Sequence, residues 1–69
     1  MKRQLGKYVG RIVRLNQQTF AEVSRRARRR GEILENCFVV AEVSRQMHKL
    51  VCYGASLRIL VGAADVVLI

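Results

Sequence analysis

Five arginines occur within six consecutive positions of this 69-residue chain, beginning at Arg25. The arginine guanidinium is planar and permanently charged, and it donates several hydrogen bonds at once. It therefore suits phosphate groups and the faces of nucleic-acid bases. At helical spacing Arg25, Arg28 and Arg29 form one patch, while Arg26 and Arg30 form a neighbouring row. The run is a candidate surface for a nucleic-acid backbone.

Acidic residues are scarce near this run. Like charges four residues apart on a helix cost about 0.2–0.5 kcal/mol per pair unless a partner supplies anions. The alternative is a solvated helix face with ion pairs to Glu32 and Glu35 of another subunit. The scarcity of acid favours nucleic-acid binding, and two further arginines would widen the surface if the first strand lies beside the helix. The predicted nucleic-acid-binding residues are Arg11, Arg14, Arg25, Arg26, Arg28, Arg29 and Arg30.

The run offers little means of reading a base sequence. Gln17 and Gln18 lie just outside the predicted helix, so no amide side chain within it would read adenine edges. We expect phosphate contacts with modest sequence preference, to either DNA or RNA. An anionic membrane surface is a weaker candidate partner, because Phe20 is the one bulky aromatic residue of the segment.

The residues around the run predict the helix that carries it. Thr19 and Glu22 have the spacing of a capping box, and Glu22 would lie at the positive end of the helix dipole. Gly31 can adopt the left-handed conformation that follows a helix end. The prediction is a helix over residues 20–30, whose apolar stripe consists of Phe20, Val23 and Ala27.

The charge of the chain is unevenly distributed. The formal net charge is +8. Residues 1–31 contain ten basic residues against Glu22 alone, whereas residues 32–69 contain three basic and four acidic residues. With 51% apolar residues, disorder is not expected. We predict a single domain over residues 1–69, with a basic strand–helix part that meets an acidic partner and an apolar β-rich part that packs on itself.

Strands account for most of the remaining sequence. β-branched residues predict a strand over residues 7–15. A series from Val9 to Ala27, apolar except for Asn16, also has alternating spacings of four and three, which would suit one long helix. A cap at Thr19 favours a strand first. Residues 57–61 and 66–69 are predicted strands joined by a tight turn over residues 62–65. A helix over residues 57–68 is the alternative, disfavoured by Gly62 and the Val-Val-Leu-Ile ending.

A hairpin is predicted around Arg45 and Gln46. In one register Glu42 lies opposite Lys49, and the pairs Val40–Val51 and Phe38–Tyr53 share a face. Arg-Gln is a poor two-residue turn, so a register displaced by one residue or a longer loop is the alternative.

These elements define an α+β fold with the order β-α-β-β-β-β. One basic helix accompanies a four- to five-stranded antiparallel sheet or a small SH3-like barrel. Both faces of the hairpin are apolar, and one helix cannot cover both, so a homo-oligomer is expected. An assembly module is thus the alternative function. Its predicted oligomer interface consists of Phe38, Val40, Val51 and Tyr53.

No catalytic constellation is evident. Cys37, His48 and Cys52 are too few for a structural zinc site, and neither a phosphate-binding glycine loop nor a carboxylate pair occurs. We expect no enzyme activity, metal, cofactor or small-molecule substrate. Two cysteines make no disulfide framework, and the longest apolar region is interrupted by Arg58 and Asp65. The expectation is a soluble cytoplasmic protein without a secretory signal or membrane span.

Overall fold

The structure of the chain, a computed structural model, describes residues 5–69 and shows an α+β fold. The first four residues of the predicted basic part lie outside the described residues. The elements are β1 (Ile12–Leu15), α1 (Gln17–Arg29), β2 (Phe38–Ser44), β3 (Lys49–Gly54), β4 (Leu57–Val61) and β5 (Val66–Leu68), with short 3-10 helices at Leu5–Tyr8 and Ala63–Asp65. The predicted order of strands and helix along the chain is confirmed. The antiparallel sheet has the strand order β4-β3-β2-β1-β5, so β4 and β5 are its edges.

Asn16 separates the first strand from the helix. Its backbone is extended, and its side-chain Oδ1 accepts a hydrogen bond from the Thr19 backbone N–H at 2.8 Å. Asparagine is a preferred N-cap because it satisfies one of the unpaired amides of the first turn. The predicted cap at Thr19 is therefore wrong, and α1 begins at Gln17. Glu22 lies beyond the first turn, so its predicted part in a capping box is wrong too.

The chain before Asn16 is only partly a strand. The prediction of a strand over residues 7–15 is confirmed for Ile12–Leu15, whereas Leu5–Tyr8 forms a 3-10 helix. The alternative of one long helix is wrong, because the chain pairs with β2 and β5 before it reaches the helix.

The C-terminal end of α1 confirms the prediction for Gly31. Gly31 has a φ of 77°, a conformation that costs glycine little. Its N–H donates to the Arg28 carbonyl at 2.9 Å, and the Glu32 N–H donates to the Ala27 carbonyl at 2.9 Å. This pair of bonds is a Schellman motif, which satisfies carbonyls that the helix leaves unpaired. The arginine run thus ends at a defined turn.

Three polar side chains, those of Asn36, Asn16 and Asp65, fix the junction of β1 and α1. The Asn36 amide continues the sheet ladder beyond β2: its Oδ1 accepts from the Leu15 N–H at 2.8 Å, and its Nδ2 donates to the Leu15 carbonyl at 2.9 Å. The Asp65 backbone carbonyl accepts from the Asn16 N–H at 2.8 Å, and Asn16 Nδ2 donates to the Asp65 carboxylate at 3.3 Å. The start of α1 is therefore held from both sides.

The β2–β3 hairpin is confirmed, but the predicted register is wrong. Val39 pairs with Tyr53, Val40 with Cys52 and Ser44 with Lys49, with a register shift between Val40 and Glu42. The loop has four residues, from Arg45 to His48, and His48 adopts a φ of 52°. The bulge and the longer loop displace the pairing, in keeping with the poor turn propensity of Arg-Gln.

The end of the chain follows the strand prediction. β4 occupies the predicted residues 57–61, and the predicted turn is the 3-10 helix, after which β5 spans Val66–Leu68. The Gly62 N–H donates to the Asp65 carboxylate at 3.1 Å and stabilises this turn. The alternative helix over residues 57–68 is wrong.

The core occupies one face of the sheet. Strand residues alternate between buried and exposed along β1 and β4, as expected for a sheet with one covered face. Gly54 is needed at the end of β3, because a Cβ atom there would overlap the Phe38 ring. The helix contributes Val23 and Ala27 to this cluster. The strand and loop members are Val13, Leu15, Leu34, Phe38, Val40, Leu50, Cys52, Leu57, Ile59, Val61 and Val66.

Candidate nucleic-acid interface

Helix α1 is anchored through a narrow apolar stripe. Val23 and Ala27 are buried, and Phe20 is half-buried against the same core cluster, so the predicted stripe is confirmed. These three residues follow the i, i+3, i+7 spacing of one helix face. Because one face is fixed to the core, most of the remaining helix surface faces solvent.

The arginines occupy this solvent-facing surface. All five run members are exposed, four of them within α1 and Arg30 as its C-cap residue. Taking about 100° of rotation per residue, Arg25 and Arg29 point directly away from the buried Ala27. Arg28 lies on one flank, and Arg26 and Arg30 lie on the other. We name Arg25, Arg26, Arg28, Arg29 and Arg30 the arginine belt.

Two open depressions lie on the surface of α1. One is lined by Glu22, Arg25, Arg26 and Arg29. The other lies on the opposite flank, and Arg25 contributes to both, so it is the shared member of the two depressions. The second depression is lined by Gln17, Phe20, Ala21, Ser24, Arg25 and Arg28.

The second depression contains two polar residues that sequence reasoning missed. Gln17 lies in the first turn of α1, whereas the sequence placed it outside the helix. Ser24 is half-exposed two turns later. Their amide and hydroxyl groups can donate and accept hydrogen bonds beside Arg25 and Arg28. The signal that could have identified Gln17 was Asn16, a stronger N-cap residue than threonine.

The position of the arginines at the C-terminal end of α1 offsets part of the repulsion among their charges. Arg26, Arg28 and Arg29 lie in the last turn, where the helix dipole favours cations by about 0.3–1 kcal/mol each. Glu22 is the one acid within the helix. The dipole and this single carboxylate offset part of the repulsion among the arginines, and the belt retains a large excess of positive charge.

The structure does not bring Arg14 to the belt. Arg14 alternates with the buried Val13 and Leu15 along β1, so it projects from the sheet face opposite the core, which contains the helix stripe. The expectation that Arg14 widens the helix surface is therefore wrong. Arg11 is exposed immediately before β1, and its carbonyl accepts from the Val40 N–H at 3.0 Å.

The predicted oligomer interface does not form one exposed face. Phe38 and Val40 are fully buried in the core, and Val51 is 1% exposed. Tyr53 alone is accessible, at 45%. The register error explains the burial of Phe38 and Val40, because Val39 rather than Phe38 lies opposite Tyr53. Val51 lies on the same strand face as Tyr53 and is buried nonetheless.

The two cysteines and the histidine lie in different parts of the fold. Cys52 is buried in the core, and this burial raises the pKa of its thiol to about 11. Cys37 is exposed before β2, and His48 is exposed in the hairpin loop. Within residues 5–69, no three histidine, cysteine or acidic side chains converge on a position that could hold a metal ion.

Comparison of the chain with protein-family models, curated proteins and solved structures found no match. Across the described part of the chain, no helix has both the length and the apolar character needed to cross a membrane. The function is therefore inferred from the surfaces of this chain alone.

Proposed function

We propose that this protein binds nucleic acid through phosphate contacts from the arginine belt, as a regulatory or accessory factor and not as an enzyme. The observation that carries the proposal is the exposure of all five arginines on a helix whose apolar stripe is anchored in the core. Phosphate contacts of this kind supply most of the sequence-independent affinity for nucleic acid.

The arrangement of the belt supports a polyanion as its partner. Arg25 and Arg29 point away from the core, and arginines on both flanks can follow a backbone that passes over the helix. A point anion would engage one depression, whereas a chain of phosphates can engage both. Gln17 and Ser24 add neutral donors to the flank formed by Arg28. The two free cysteines suit a reducing compartment, so a cytoplasmic location accompanies the proposal.

The alternative is a homo-oligomeric assembly module. That prediction depended on an accessible face formed by four residues, and three of them are buried within the single chain. We therefore favour nucleic-acid binding.

Fluorescence anisotropy with labelled duplex DNA, single-stranded DNA and RNA of equal length tests the proposal. At low salt we expect the parent to bind, and the triple variant Arg25→Ala, Arg28→Ala, Arg29→Ala to bind at least tenfold more weakly. All three side chains are exposed, so circular dichroism should show a nearly unchanged fold.

We call the variant Arg25→Ala, Arg28→Ala, Arg29→Ala the belt variant. A charge-matched control distinguishes the effect of losing these arginines from the effect of lowering the net charge. The variant Lys7→Ala, Arg45→Ala, Lys49→Ala removes the same formal charge from residues outside α1. It should bind more tightly than the belt variant. Equal affinity of the belt variant and the parent at low salt would refute the proposal.

A further inference from the structure

A second surface lies on the sheet face that is turned away from the core. Ile12 pairs with Val39, Val39 pairs with Tyr53, and Tyr53 pairs with Arg58. Directly paired residues of an antiparallel sheet share a face, so these four side chains form one line across β1, β2, β3 and β4. Neighbouring strands are about 4.8 Å apart, and the line is therefore about 14 Å long. We name these four residues the outer row.

The three members of the outer row on β1, β2 and β3 are apolar or aromatic, and all three are accessible. Ile12 is 46% exposed, Val39 47% and Tyr53 45%. Val67 of β5, at 65%, extends the apolar surface on the same face beside its partner Arg14. Scattered apolar residues are normal on protein surfaces, whereas adjacent ones on a common face indicate contact with a partner.

Positive charge flanks the outer row. Arg58 ends it on β4, and Arg14 projects from the same face of β1, two residues beyond Ile12. Glu42 is exposed near the row, where it pairs with Val51. A second copy of the chain would bring its own Arg14 and Arg58 to this face, and this like charge disfavours self-association relative to an anionic partner. Apolar and aromatic side chains between arginines match a partner that has both flat apolar groups and phosphates.

We infer that the outer row binds the bases of a single-stranded nucleic acid. The Tyr53 ring stacks on one base, Ile12 and Val39 contact its neighbour, and Arg58 and Arg14 meet the flanking phosphates. Aromatic residues on a sheet face stack two or three bases of a single strand in this way. In a duplex the base faces are covered by their neighbours. The inference rests on the proposed function and adds to it the class of nucleic acid.

The fold holds Tyr53 in place for this contact. β3 is a central strand that is paired on both sides. The next residue, Gly54, packs directly beneath the fully buried Phe38 ring. A side chain fixed by its strand loses little further freedom when a base stacks on it.

The test compares a labelled single-stranded oligonucleotide with an abasic oligomer of the same length. We expect Tyr53→Ala to weaken binding of the oligonucleotide about 5- to 150-fold, the effect of losing one stacked base, and to leave binding of the abasic oligomer unchanged. Tyr53→Phe retains the ring face and should bind both as the parent does. Equal affinity of Tyr53→Ala and the parent for the oligonucleotide would overturn the inference.

A second measurement does not depend on a variant at the site. The chain has two tyrosines, so Tyr8→Phe leaves Tyr53 as the one fluorescent tyrosine. Its emission should be quenched by the oligonucleotide and not by the abasic oligomer. Unchanged emission on saturation with oligonucleotide would overturn the inference.

Other outcomes separate this inference from the proposed function. If the parent binds both oligomers equally and the belt variant binds neither, the outer row has no role in binding. The inference is then wrong, whereas the proposed function stands. If the parent binds neither oligomer, both the inference and the proposed function are wrong. If sedimentation shows that Tyr53→Ala changes the oligomeric state while its affinity for the oligonucleotide is unchanged, the row is an interface between copies and the inference is wrong.

Discussion

At the scale of single residues, short polar side chains decide where elements begin and end. Asn16 caps α1 and also links it to Asp65, while the Asn36 amide satisfies both backbone groups of Leu15. Each replaces a backbone partner that the chain does not otherwise provide. Because the helix begins at Gln17 through the cap at Asn16, the orientation of every arginine in the belt depends on this junction.

Replacing Asn16 should show which residue caps the helix. Asn16→Ala removes the acceptor for the Thr19 N–H and should lower the free energy of unfolding by about 0.5–2 kcal/mol. Thr19→Ala is the matched control, because Thr19 contributes only its backbone N–H, and its effect should stay within about 0.5 kcal/mol. Urea denaturation measures both values. A larger loss for Thr19→Ala than for Asn16→Ala would contradict the assignment.

The two cysteines should differ in reactivity. A raised pKa keeps the buried Cys52 thiol neutral, whereas Cys37 is exposed. At pH 8 a thiol reagent should modify one thiol per folded chain and two in denaturant. Cys37→Ser should abolish the reaction in the folded state. Two thiols that react at equal rates in the folded parent would contradict the burial of Cys52.

The same thiol predicts a dependence of stability on pH. The pKa of Cys52 is raised from 9.0 to about 11 by burial, so the folded state favours the neutral thiol. This contribution is fully present below about pH 9 and is lost as the pH rises towards 11. The stability of the parent should fall over this range more steeply than that of Cys52→Ala.

At the scale of elements, local patterns were predictable and their pairing was not. The apolar stripe of α1 and the strand at residues 57–61 follow directly from spacing and β-branched content. The helix start was misplaced because two candidate caps, Asn16 and Thr19, lie three residues apart. The hairpin register failed because a bulge between Val40 and Glu42 and a four-residue loop shift the pairing. The poor turn propensity of Arg-Gln indicated a longer loop or a displaced register, but no local residue pattern specifies the bulge.

The register of β2 and β3 determined which of the two surfaces could be predicted from the sequence. The arginine belt depends on helical spacing alone, so it was identified from the sequence. The outer row depends on which residues meet across four strands, so only Tyr53 was selected correctly as accessible. Val39 alternates with Phe38 and Val40, so the predicted register placed it on the face opposite Tyr53, and Ile12 was not selected at all.

Gly54 provides a test of the packing that holds β3. Gly54→Ala places a methyl group against the Phe38 ring and should destabilise the fold by about 1–3 kcal/mol. The same substitution in a Phe38→Leu background should cost less, because leucine leaves room for the methyl group. Chemical denaturation of the four proteins in this double-mutant cycle measures the coupling. An equal cost in both backgrounds would contradict the packing.

At the scale of the whole molecule, the fold separates two surfaces. The chain is elongated, with extents of 40 × 20 × 18 Å. The arginine belt lies on the helix side of the sheet, and the outer row lies on the face opposite the core. Residues 1–31 contain ten basic residues and one acidic residue, so the positive charge of the chain lies in this part, whereas residues 32–69 contain three basic and four acidic residues. A flexible polyanion can reach both surfaces more readily than a rigid one, which agrees with a single-stranded partner.

The salt dependence of binding tests the central claim most directly. Each phosphate contact contributes about 0.7 to the slope of log K against log salt for single strands and about 0.9 for duplex DNA. The variant Arg25→Ala, Arg28→Ala, Arg29→Ala should therefore reduce the slope of the parent by about 2–3. The control Lys7→Ala, Arg45→Ala, Lys49→Ala should leave the slope nearly unchanged. A slope unaltered by the helix variant would contradict phosphate binding by the arginine belt.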